Sequence, residues 1–334
     1  MGEKVGVIGG GAWGTALAMV LAENRHAITL WMYEKELADD VEKTRENRTY
    51  LPGFLLPDSI RVTNSIESAV KDHAYVLSVV PSHTVRRVSS EISQHLSEKA
   101  VIISASKGIE NESLLLLSGV FRDTLPKKFH NRLCILSGPS FAKEVAQGMP
   151  TAVTLASFDP EIGRQAQRLL STPKFRVYTN PDVTGVELGG ALKNVIAIAA
   201  GVLEGLGYGH NTMAALITRG LAEMTRLGRA LGANPLTFSG LSGIGDLVLT
   251  CTGGLSRNRT LGKRLGNGEK LAQILKGAAT VAEGVKTTKA ARDLASKYHI
   301  EMPVVEEVYR LLYEDKDPRQ ALADLMNRGL KEEI

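Results

Sequence analysis

The sequence predicts an α/β protein with two domains, a sheet-based N-terminal domain over residues 1–180 and an all-α C-terminal domain over residues 181–334. At 334 residues the chain is longer than one hydrophobic core usually serves. Short β-branched runs alternate with helical patterns as far as about residue 178, and strand-like runs stop after Asn180. The pair Asn180-Pro181 disfavours continuation of either regular element, so we expect the domain boundary there.

The strand-like runs are short and separated by helical patterns, which favours a parallel sheet covered by helices. They occupy residues 4–9, 27–31, 74–80, 100–104 and 132–137. In the second half, apolar residues recur at three- and four-residue spacing, which indicates amphipathic helices. These helices are predicted over residues 185–204, 211–231, 283–298 and 304–315.

Composition and charge exclude several classes of protein. Apolar residues make up 43% and charged residues 23% of the chain, as in globular proteins. The 40 Lys and Arg are dispersed among 36 acids, so no nucleic-acid partner is expected. Cys134 and Cys251 belong to no CxxC pair, which argues against a metal site and favours a reducing compartment, the cytoplasm. No signal peptide is visible, and the longest apolar run, residues 195–203, is about half of what a bilayer requires, so no membrane partner is expected.

A glycine-rich motif follows the first predicted strand and opens a helical pattern. Gly9, Gly11 and Gly14 form G-x-G-x-x-G, in which the first glycine permits a tight turn, the second lets the backbone approach a pyrophosphate, and the third lets the helix pack on the strand. The start of the helix would then offer unpaired N–H groups to the phosphates. Alone the triplet could be an ordinary turn, but its β-α-β context predicts a Rossmann domain that binds NAD(P)H. Ala12 and Trp13 should line the cofactor, with simple packing at the helix start as the alternative for Trp13.

The residues after the second predicted strand leave the choice between NAD and NADP open. An acid there would pair with the ribose 2′-OH, and a basic group would favour a 2′-phosphate. Glu34 lies near the expected position, yet Lys35, Arg45 and Arg48 are close in sequence. Tyr33 could contact the adenosine half or pack in the core.

A lysine on an apolar helical face is the candidate proton donor. Lys193 has Gly189 and Gly190 one turn before it, and Ile196 and Ala197 one turn after it. A solvated surface position explains most lysines but fits this one poorly, because burying an ammonium is costly without a partner or a task. Desolvation lowers the pKa of a lysine, which would let it pass a proton near neutral pH to the oxygen of a carbonyl undergoing reduction.

A glycine-punctuated polar segment later in the chain could bind a phosphate. Ser256, Arg257 and Asn258 would supply a hydroxyl, a guanidinium fork and an amide, although a polar interhelical loop with an N-cap would have the same pattern. Asp246, earlier in this segment, could orient Lys193 or a substrate hydroxyl, or could cap the following helix.

Two predicted loops follow strands of the sheet, at the edge where open α/β sheets bind ligands. One carries Lys107, a point charge suited to phosphate, and the other carries Gly138, Ser140 and Ala142. Ordinary connections between strands and helices would explain these residues equally well.

Taken together, these segments resemble bacterial NAD(P)-dependent glycerol-3-phosphate dehydrogenase. The resemblance spans nearly the whole chain in the same order, and its Lys-Asn, Gly-Asp and Ser-Arg-Asn elements are more specific than a glycine motif. It is carried by residues 9–18, 104–110, 137–153, 185–201, 211–224, 243–251, 255–259 and 281–284.

The resemblance implies hydride transfer between NAD(P)H and dihydroxyacetone phosphate, giving sn-glycerol 3-phosphate for glycerophospholipid synthesis, in a homodimer with a 6-phosphogluconate-dehydrogenase-like fold. It implies that Lys193 protonates the developing alkoxide. Around glycerol 3-phosphate it places Lys107, Gly138, Ser140, Lys193, Asp246, Ser256, Arg257 and Asn258. At the cofactor it places Gly9, Gly11, Ala12, Trp13, Tyr33, Lys107, Ala142, Arg257, Val281 and Glu283.

Two other functions fit part of the sequence. A related 2-hydroxyacid or ketopantoate-type reductase also joins a Rossmann domain to helices with a lysine donor, but its substrate would carry a carboxylate. A non-enzymatic dinucleotide sensor would keep the glycines, yet it would have no need of Lys193 on an apolar face or of the Ser256-Arg257-Asn258 element. These features favour catalysis.

Overall fold

The computed structural model describes residues 2–276, 282–330 and 332–333. Internal contacts divide the chain into two compact units. The first contains Met1–Glu110 and Leu115–Glu187, and the second contains Asn111–Leu114 and Leu188–Ile334.

The first unit is built on an eight-stranded sheet in the order β3-β2-β1-β4-β5-β6-β7-β8. All neighbouring strands are parallel except β6 and β7, so the expectation of a fully parallel sheet is wrong at this pair. There the link over residues 138–150 contains only a five-residue helix and reverses the chain. The strands are β1 Lys4–Ile8, β2 Ala27–Trp31, β3 Ile60–Thr63, β4 Tyr75–Ser78, β5 Val101–Ser104, β6 Leu133–Ser137, β7 Thr151–Ser157 and β8 Phe175–Asn180.

Helices cover both faces of this sheet, because successive side chains of a strand point to opposite sides. Val5 and Leu30 belong to the hydrophobic core on one face, and Ile102 and Ile135 belong to the core on the other. The predicted Rossmann-type α/β unit is thereby confirmed, although β3, β7 and β8 were not among the expected strands. Its helices are α1 Ala12–Glu23, α2 Lys35–Thr44, α3 Ile66–Val70, α4 Val85–Ser93, α5 Leu117–Thr124, α6 Ala142–Ala146 and α7 Pro160–Leu170.

The described part of the second unit is helical, as predicted. The first of its long helices, α8, begins in the first unit and continues into the second. Four helices match the predicted ranges closely because their apolar periodicity marks them over their whole length. The helices are α8 Val183–Gly205, α9 His210–Ala230, α10 Asp246–Thr252, α11 Arg257–Gly266, α12 Leu271–Lys276, α13 Glu283–Lys297, α14 Pro303–Tyr313 and α15 Pro318–Met326.

Helix α8 is long and apolar enough, by length and composition, to cross a membrane, with a mean hydropathy of 1.6 in its best window. The expectation that no segment reaches this length is therefore wrong, because it counted only the uninterrupted apolar run. Within the structure 94% of that window is buried. The apolar character of α8 thus serves the interior of the protein.

Glycines allow α8 and α11 to pack with their backbones almost in contact. A Cβ added at Gly201 would lie 2.0 Å from the carbonyl oxygen of Arg259, and one added at Gly262 would lie 2.0 Å from that of Ile198. No side chain tolerates such distances. This crossing fixes the first half of α11 relative to the second half of α8.

Two buried glutamates cap helices other than their own. The carboxylate of Glu187 accepts hydrogen bonds from the backbone N–H and hydroxyl of Ser118 at the start of α5, at 2.7 and 2.6 Å. Glu223 accepts from the N–H groups of Val304 and Val305 at the start of α14, at 2.7 and 3.2 Å. Burial raises the pKa of each carboxyl to about 7, and the hydrogen bonds oppose that rise.

Candidate functional site

The glycine-rich loop between β1 and α1 has the geometry of a dinucleotide-binding turn. Gly9 has φ of +121°, and a Cβ there would lie 2.7 Å from the Val79 carbonyl oxygen. A Cβ on Gly14 would lie 1.8 Å from the carbonyl oxygen of Gly9, so strand and helix can approach this closely only with glycine. At Gly11, by contrast, a Cβ would meet nothing within 4 Å. The open side of the loop at Gly11 leaves its backbone accessible to a ligand.

The start of α1 is suited to phosphate. Gly11 is its N-cap and supplies no side chain to cap the first N–H groups, and the first turn contains no acidic residue. Uncapped N–H groups and the positive end of the helix dipole attract anions. A pyrophosphate therefore fits here.

Asn47 holds this loop in place, a role that the sequence analysis missed. Its fully buried side-chain amide donates to the carbonyl of Gly10 at 2.8 Å and to the hydroxyl of Thr15 at 2.9 Å. Its own carbonyl accepts from the N–H of Tyr50 at 3.2 Å. In the sequence, Asn47 is one asparagine in a polar stretch after α2, 37 residues from Gly10. That stretch has no periodic pattern, so nothing in it pointed to this role.

Ala12, Trp13 and Ala142 are half-buried and pack against the same hydrophobic core. The indole of Trp13 lies 6.4 Å from the ring of Phe175, centroid to centroid. Its Nε1 is buried and has no hydrogen-bond partner in the described part of the chain. A buried donor of this kind usually has an acceptor, which a bound cofactor could supply.

Tyr33 lies just beyond the end of β2 and is 63% exposed. Its ring meets that of Trp31 edge-on, with 6.2 Å between centroids. Of the two interpretations of Tyr33, the exposure favours contact with a ligand over packing in the core.

The loops after β5 and β6 bring three candidate residues together. The Lys107 ammonium donates to the carbonyl of Gly138 at 3.5 Å, and the Ser140 hydroxyl donates to the same carbonyl at 3.0 Å. Gly138 has φ of +137°, and a Cβ there would lie 3.0 Å from Cα of Val153, so a side chain would be both strained and crowded. Lys107 is half-buried, which leaves its charge within reach of an anion.

In the second unit, Lys193 forms a buried ion pair with Asp246. The residues are 7% and 0% exposed, and the Lys193 ammonium donates directly to Oδ1 of Asp246. Thr250 donates from its hydroxyl to the same oxygen at 3.3 Å. Of the roles left open for Asp246, the structure shows the contact with Lys193. The carboxylate favours the charged ammonium, an effect opposite to desolvation, which the sequence analysis considered alone.

A close approach between α8 and a π-helical turn creates this pair. The turn, Leu241–Gly245, directly precedes Asp246, and a Cβ on Gly189 would lie 2.3 Å from the carbonyl oxygen of Ser242 within it. Glycine at this position therefore lets the turn reach the face of α8 that carries Lys193. Such π-turns within helical segments occur often at functional sites.

Cys251 lies near the pair but is not a candidate nucleophile. Burial raises the pKa of its thiol to about 12, even though Lys193 and Arg259 act in the opposite direction. A thiol that stays protonated is a poor nucleophile.

The Ser256-Arg257-Asn258 element forms the start of α11. Ser256 is the N-cap, and its hydroxyl accepts from the N–H of Arg259 at 3.2 Å, so the alternative interpretation as a cap describes this residue. Arg257 is the first residue of the helix and is exposed. Asn258 is buried and links three helices, because its amide donates to Asn194 at 2.9 Å and its carbonyl accepts from the N–H of Gly284 at 3.0 Å.

The link through Asn258 brings the start of α13 to the start of α11. Glu283, the first residue of α13, is half-buried and precedes the N–H group that Asn258 binds. Val281 lies outside the described residues. Within the described ranges, no group of three or more His, Cys, Asp or Glu is placed to hold a metal ion.

Comparison with known proteins extends these observations to the whole chain. Residues 4–163 match the family model of the NAD-dependent glycerol-3-phosphate dehydrogenase N-terminus, and residues 182–323 match that of its C-terminus. The chain belongs to the NAD-dependent glycerol-3-phosphate dehydrogenase family. The family predicted from the sequence is confirmed, and with it the oxidoreductase class and the NAD(P) cofactor.

Individual members of the glycerol-3-phosphate dehydrogenase family match along their full length. A glycerol-3-phosphate dehydrogenase [NAD(P)+] of Geobacter metallireducens is 55% identical over 333 residues, which cover 100% of this chain and 99% of the relative. The crystal structure of glycerol-3-phosphate dehydrogenase from Coxiella burnetii has a TM-score of 0.93 at 38% identity, covering 98% of this chain and 99% of that one.

A ketopantoate reductase from Ralstonia eutropha matches more distantly, with a TM-score of 0.61 at 13% identity, covering 96% of this chain and 99% of that one. At this identity the likeness shows a shared fold alone. The full-length matches to glycerol-3-phosphate dehydrogenases favour neither the ketopantoate-type alternative nor the dinucleotide sensor.

Proposed function

We propose that this protein is an NAD(P)-dependent sn-glycerol-3-phosphate dehydrogenase that interconverts dihydroxyacetone phosphate and sn-glycerol 3-phosphate. The buried pair of Lys193 and Asp246 carries the proposal, because an ammonium held by a carboxylate on an apolar helix is suited to donate a proton to a substrate oxygen. The names of the relatives support the choice of substrate, since those that match at 51–55% identity are glycerol-3-phosphate dehydrogenases.

The first unit would hold the cofactor. Its pyrophosphate would meet the open backbone at Gly11 and the uncapped start of α1, and the unpartnered Nε1 of Trp13 offers a donor nearby in sequence. When bound, the nicotinamide supplies a hydride to the substrate carbonyl or accepts one from the alcohol. Tyr33, Ala142 and Lys107 would contact it as the family resemblance implies, as would Arg257, Val281 and Glu283.

Lys193 would provide the proton that the reduction requires. As C2 of dihydroxyacetone phosphate becomes tetrahedral, its oxygen gains negative charge, and the ammonium stabilises that charge before donating a proton to it. Asp246 is a positioning residue in this scheme, since it holds Nζ in place and favours the charged form. In the reverse direction the neutral amine accepts the hydroxyl proton of glycerol 3-phosphate.

The substrate phosphate would bind at the start of α11. Arg257 supplies a guanidinium there, the helix supplies its positive end, and Ser256 and Asn258 hold the segment in position. Lys107, Gly138 and Ser140 would contribute further substrate contacts, as the family resemblance implies.

We further propose that the protein is a cytoplasmic homodimer whose product serves glycerophospholipid synthesis. Both cysteines are free and buried, which is typical of proteins from reducing compartments. For functional purposes we divide the chain into a cofactor-binding domain over residues 1–180 and a substrate domain over residues 181–334.

The test is the rate of oxidation of NADPH and of NADH, followed by absorbance, with dihydroxyacetone phosphate as substrate. Unphosphorylated dihydroxyacetone and ketopantoate serve as controls, the first lacking the phosphate and the second carrying a carboxylate. We expect turnover with dihydroxyacetone phosphate and little with either control. Preferential turnover of ketopantoate, or none of any substrate, would refute the proposal.

A further inference from the structure

An arginine that is distant in sequence stacks on Tyr33. The guanidinium carbon of Arg87, in α4, lies 5.3 Å from the centroid of the Tyr33 ring. A cation over an aromatic face at this distance is held by attraction to the ring. Arg87 therefore stands just beyond the end of β2, where Rossmann enzymes distinguish the ribose 2′-OH of NAD from the 2′-phosphate of NADP.

The charge of Arg87 remains available to a ligand. Its guanidinium is 3.8 Å from Glu91, and the two side chains are 57% and 44% exposed. An exposed ion pair of this length contributes little and yields readily to a stronger acceptor. A phosphate dianion is such an acceptor, and the guanidinium fork matches its geometry.

The arginines that follow β2 in sequence are used within the fold. Arg45 donates to the carbonyls of Pro57 at 2.8 Å and Ile60 at 2.5 Å, which fixes its guanidinium against the backbone. Arg48 is also exposed, but its ion pair is shorter than that of Arg87, since it donates to Glu46 at 3.0 Å. Although Arg45 and Arg48 are close to Tyr33 in sequence, these contacts make them weaker candidates than Arg87 for binding a 2′-phosphate.

We propose that Arg87, held on Tyr33, binds the 2′-phosphate of NADP(H) and makes the protein favour NADPH over NADH. The inference rests on the proposed function, because it names the cofactor preference of the same site. Glu34, exposed at the same strand end, offers a carboxylate to the ribose hydroxyls of NADH, so NADH is also used.

The test compares the kcat/KM values for NADPH and NADH in the parent protein and in Arg87→Gln, with dihydroxyacetone phosphate saturating. We expect the NADPH-to-NADH ratio to fall roughly 10- to 100-fold, mainly through a higher KM for NADPH. Arg87→Lys keeps the charge without the fork and should retain part of the preference. Arg48→Gln is the matched control, an exposed arginine in the same unit, and should leave the ratio within about twofold.

A binding measurement separates this inference from the proposed function. Adenosine 2′-phosphate and adenosine 5′-phosphate are titrated against both proteins by calorimetry. If Arg87→Gln binds adenosine 2′-phosphate more weakly but adenosine 5′-phosphate equally well, the assignment is supported. This holds even if the parent protein does not reduce dihydroxyacetone phosphate, since that failure would refute only the proposed function. Equal losses for both nucleotides and both cofactors would overturn the assignment, because Arg87 would then act on the adenine or on the fold. A preference that survives in Arg87→Gln but is lost in Lys35→Gln would overturn it as well.

Discussion

Removing the charge of Asp246 isolates what the buried pair does. In Asp246→Asn the amide keeps the shape of the side chain, but the buried Lys193 ammonium loses the carboxylate that it contacts. Two consequences follow from this one change. The protein loses stability, and Lys193 is driven toward the neutral amine, which cannot donate the proton that reduction requires.

The magnitude follows from the burial of both groups. Breaking a buried ion pair by removing one partner costs about 3–5 kcal/mol, a large part of the roughly 5–15 kcal/mol that stabilises a typical domain. Replacing both charges by neutral side chains costs far less, because no unpaired charge remains. The double variant Lys193→Met/Asp246→Asn should therefore be more stable than Asp246→Asn alone.

The assays are denaturant unfolding of Asp246→Asn, Lys193→Met and the double variant, and the pH dependence of kcat for reduction. We expect kcat to fall by about 10²- to 10⁴-fold in Lys193→Met and Asp246→Asn. In Asp246→Asn the alkaline limb of the profile should move to lower pH, since the ammonium loses the carboxylate that favours it. Thr250→Val is the mild control, because it removes hydrogen bonds to Oδ1 and to the backbone carbonyl of Asp246, at 3.3 and 2.6 Å, but leaves both charges of the pair in place. A double variant no more stable than Asp246→Asn, together with an unshifted pH profile, would refute this reasoning.

Three further changes test other parts of the molecule. Arg257→Ala should lower kcat/KM for dihydroxyacetone phosphate at least tenfold, because each charge-assisted hydrogen bond that is lost contributes roughly 1.5–3 kcal/mol. Arg264→Ala on the same helix should leave kcat/KM unchanged. An equal loss with unphosphorylated dihydroxyacetone would exclude the phosphate contact. Asn47→Ala should raise KM for NADPH and NADH alike. It should also lower the free energy of unfolding by about 1–3 kcal/mol, because two buried partners lose their hydrogen bonds. Unchanged KM values would show that the loop keeps its shape without Asn47. In the folded protein the pKa of Glu187 is about 7, whereas in the unfolded chain it has its ordinary value of 4.5. Between these two pH values the folded protein keeps a proton on Glu187 that the unfolded chain has released. The free energy of unfolding therefore falls as pH rises between these values, by up to about 3 kcal/mol from this group, and Glu187→Gln should show a smaller fall; an identical pH dependence would place the effect elsewhere.

The sequence by itself determined the features that depend on neighbours along the chain. The turn at Gly9 and the closeness of Gly14 are local demands of a strand that feeds directly into a helix, so their spacing was informative. The long helices of the second unit could be predicted because every turn repeats the same apolar pattern. Lys193 could be singled out for a similar reason, since a charge on a continuous apolar face contradicts its surroundings.

Only the tertiary structure decided which distant groups meet. Asp246 pairs with Lys193 because Gly189 admits a π-turn against α8, and nothing in the local pattern distinguished that role from helix capping. Local patterns also could not predict four other features. These are the weakly patterned strands β3, β7 and β8, the reversal at β7, the support of the glycine loop by Asn47 and the stacking of Arg87 on Tyr33. These contacts join residues far apart in sequence, and their free energy comes from packing and buried polar pairing, which exist only once the chain is compact.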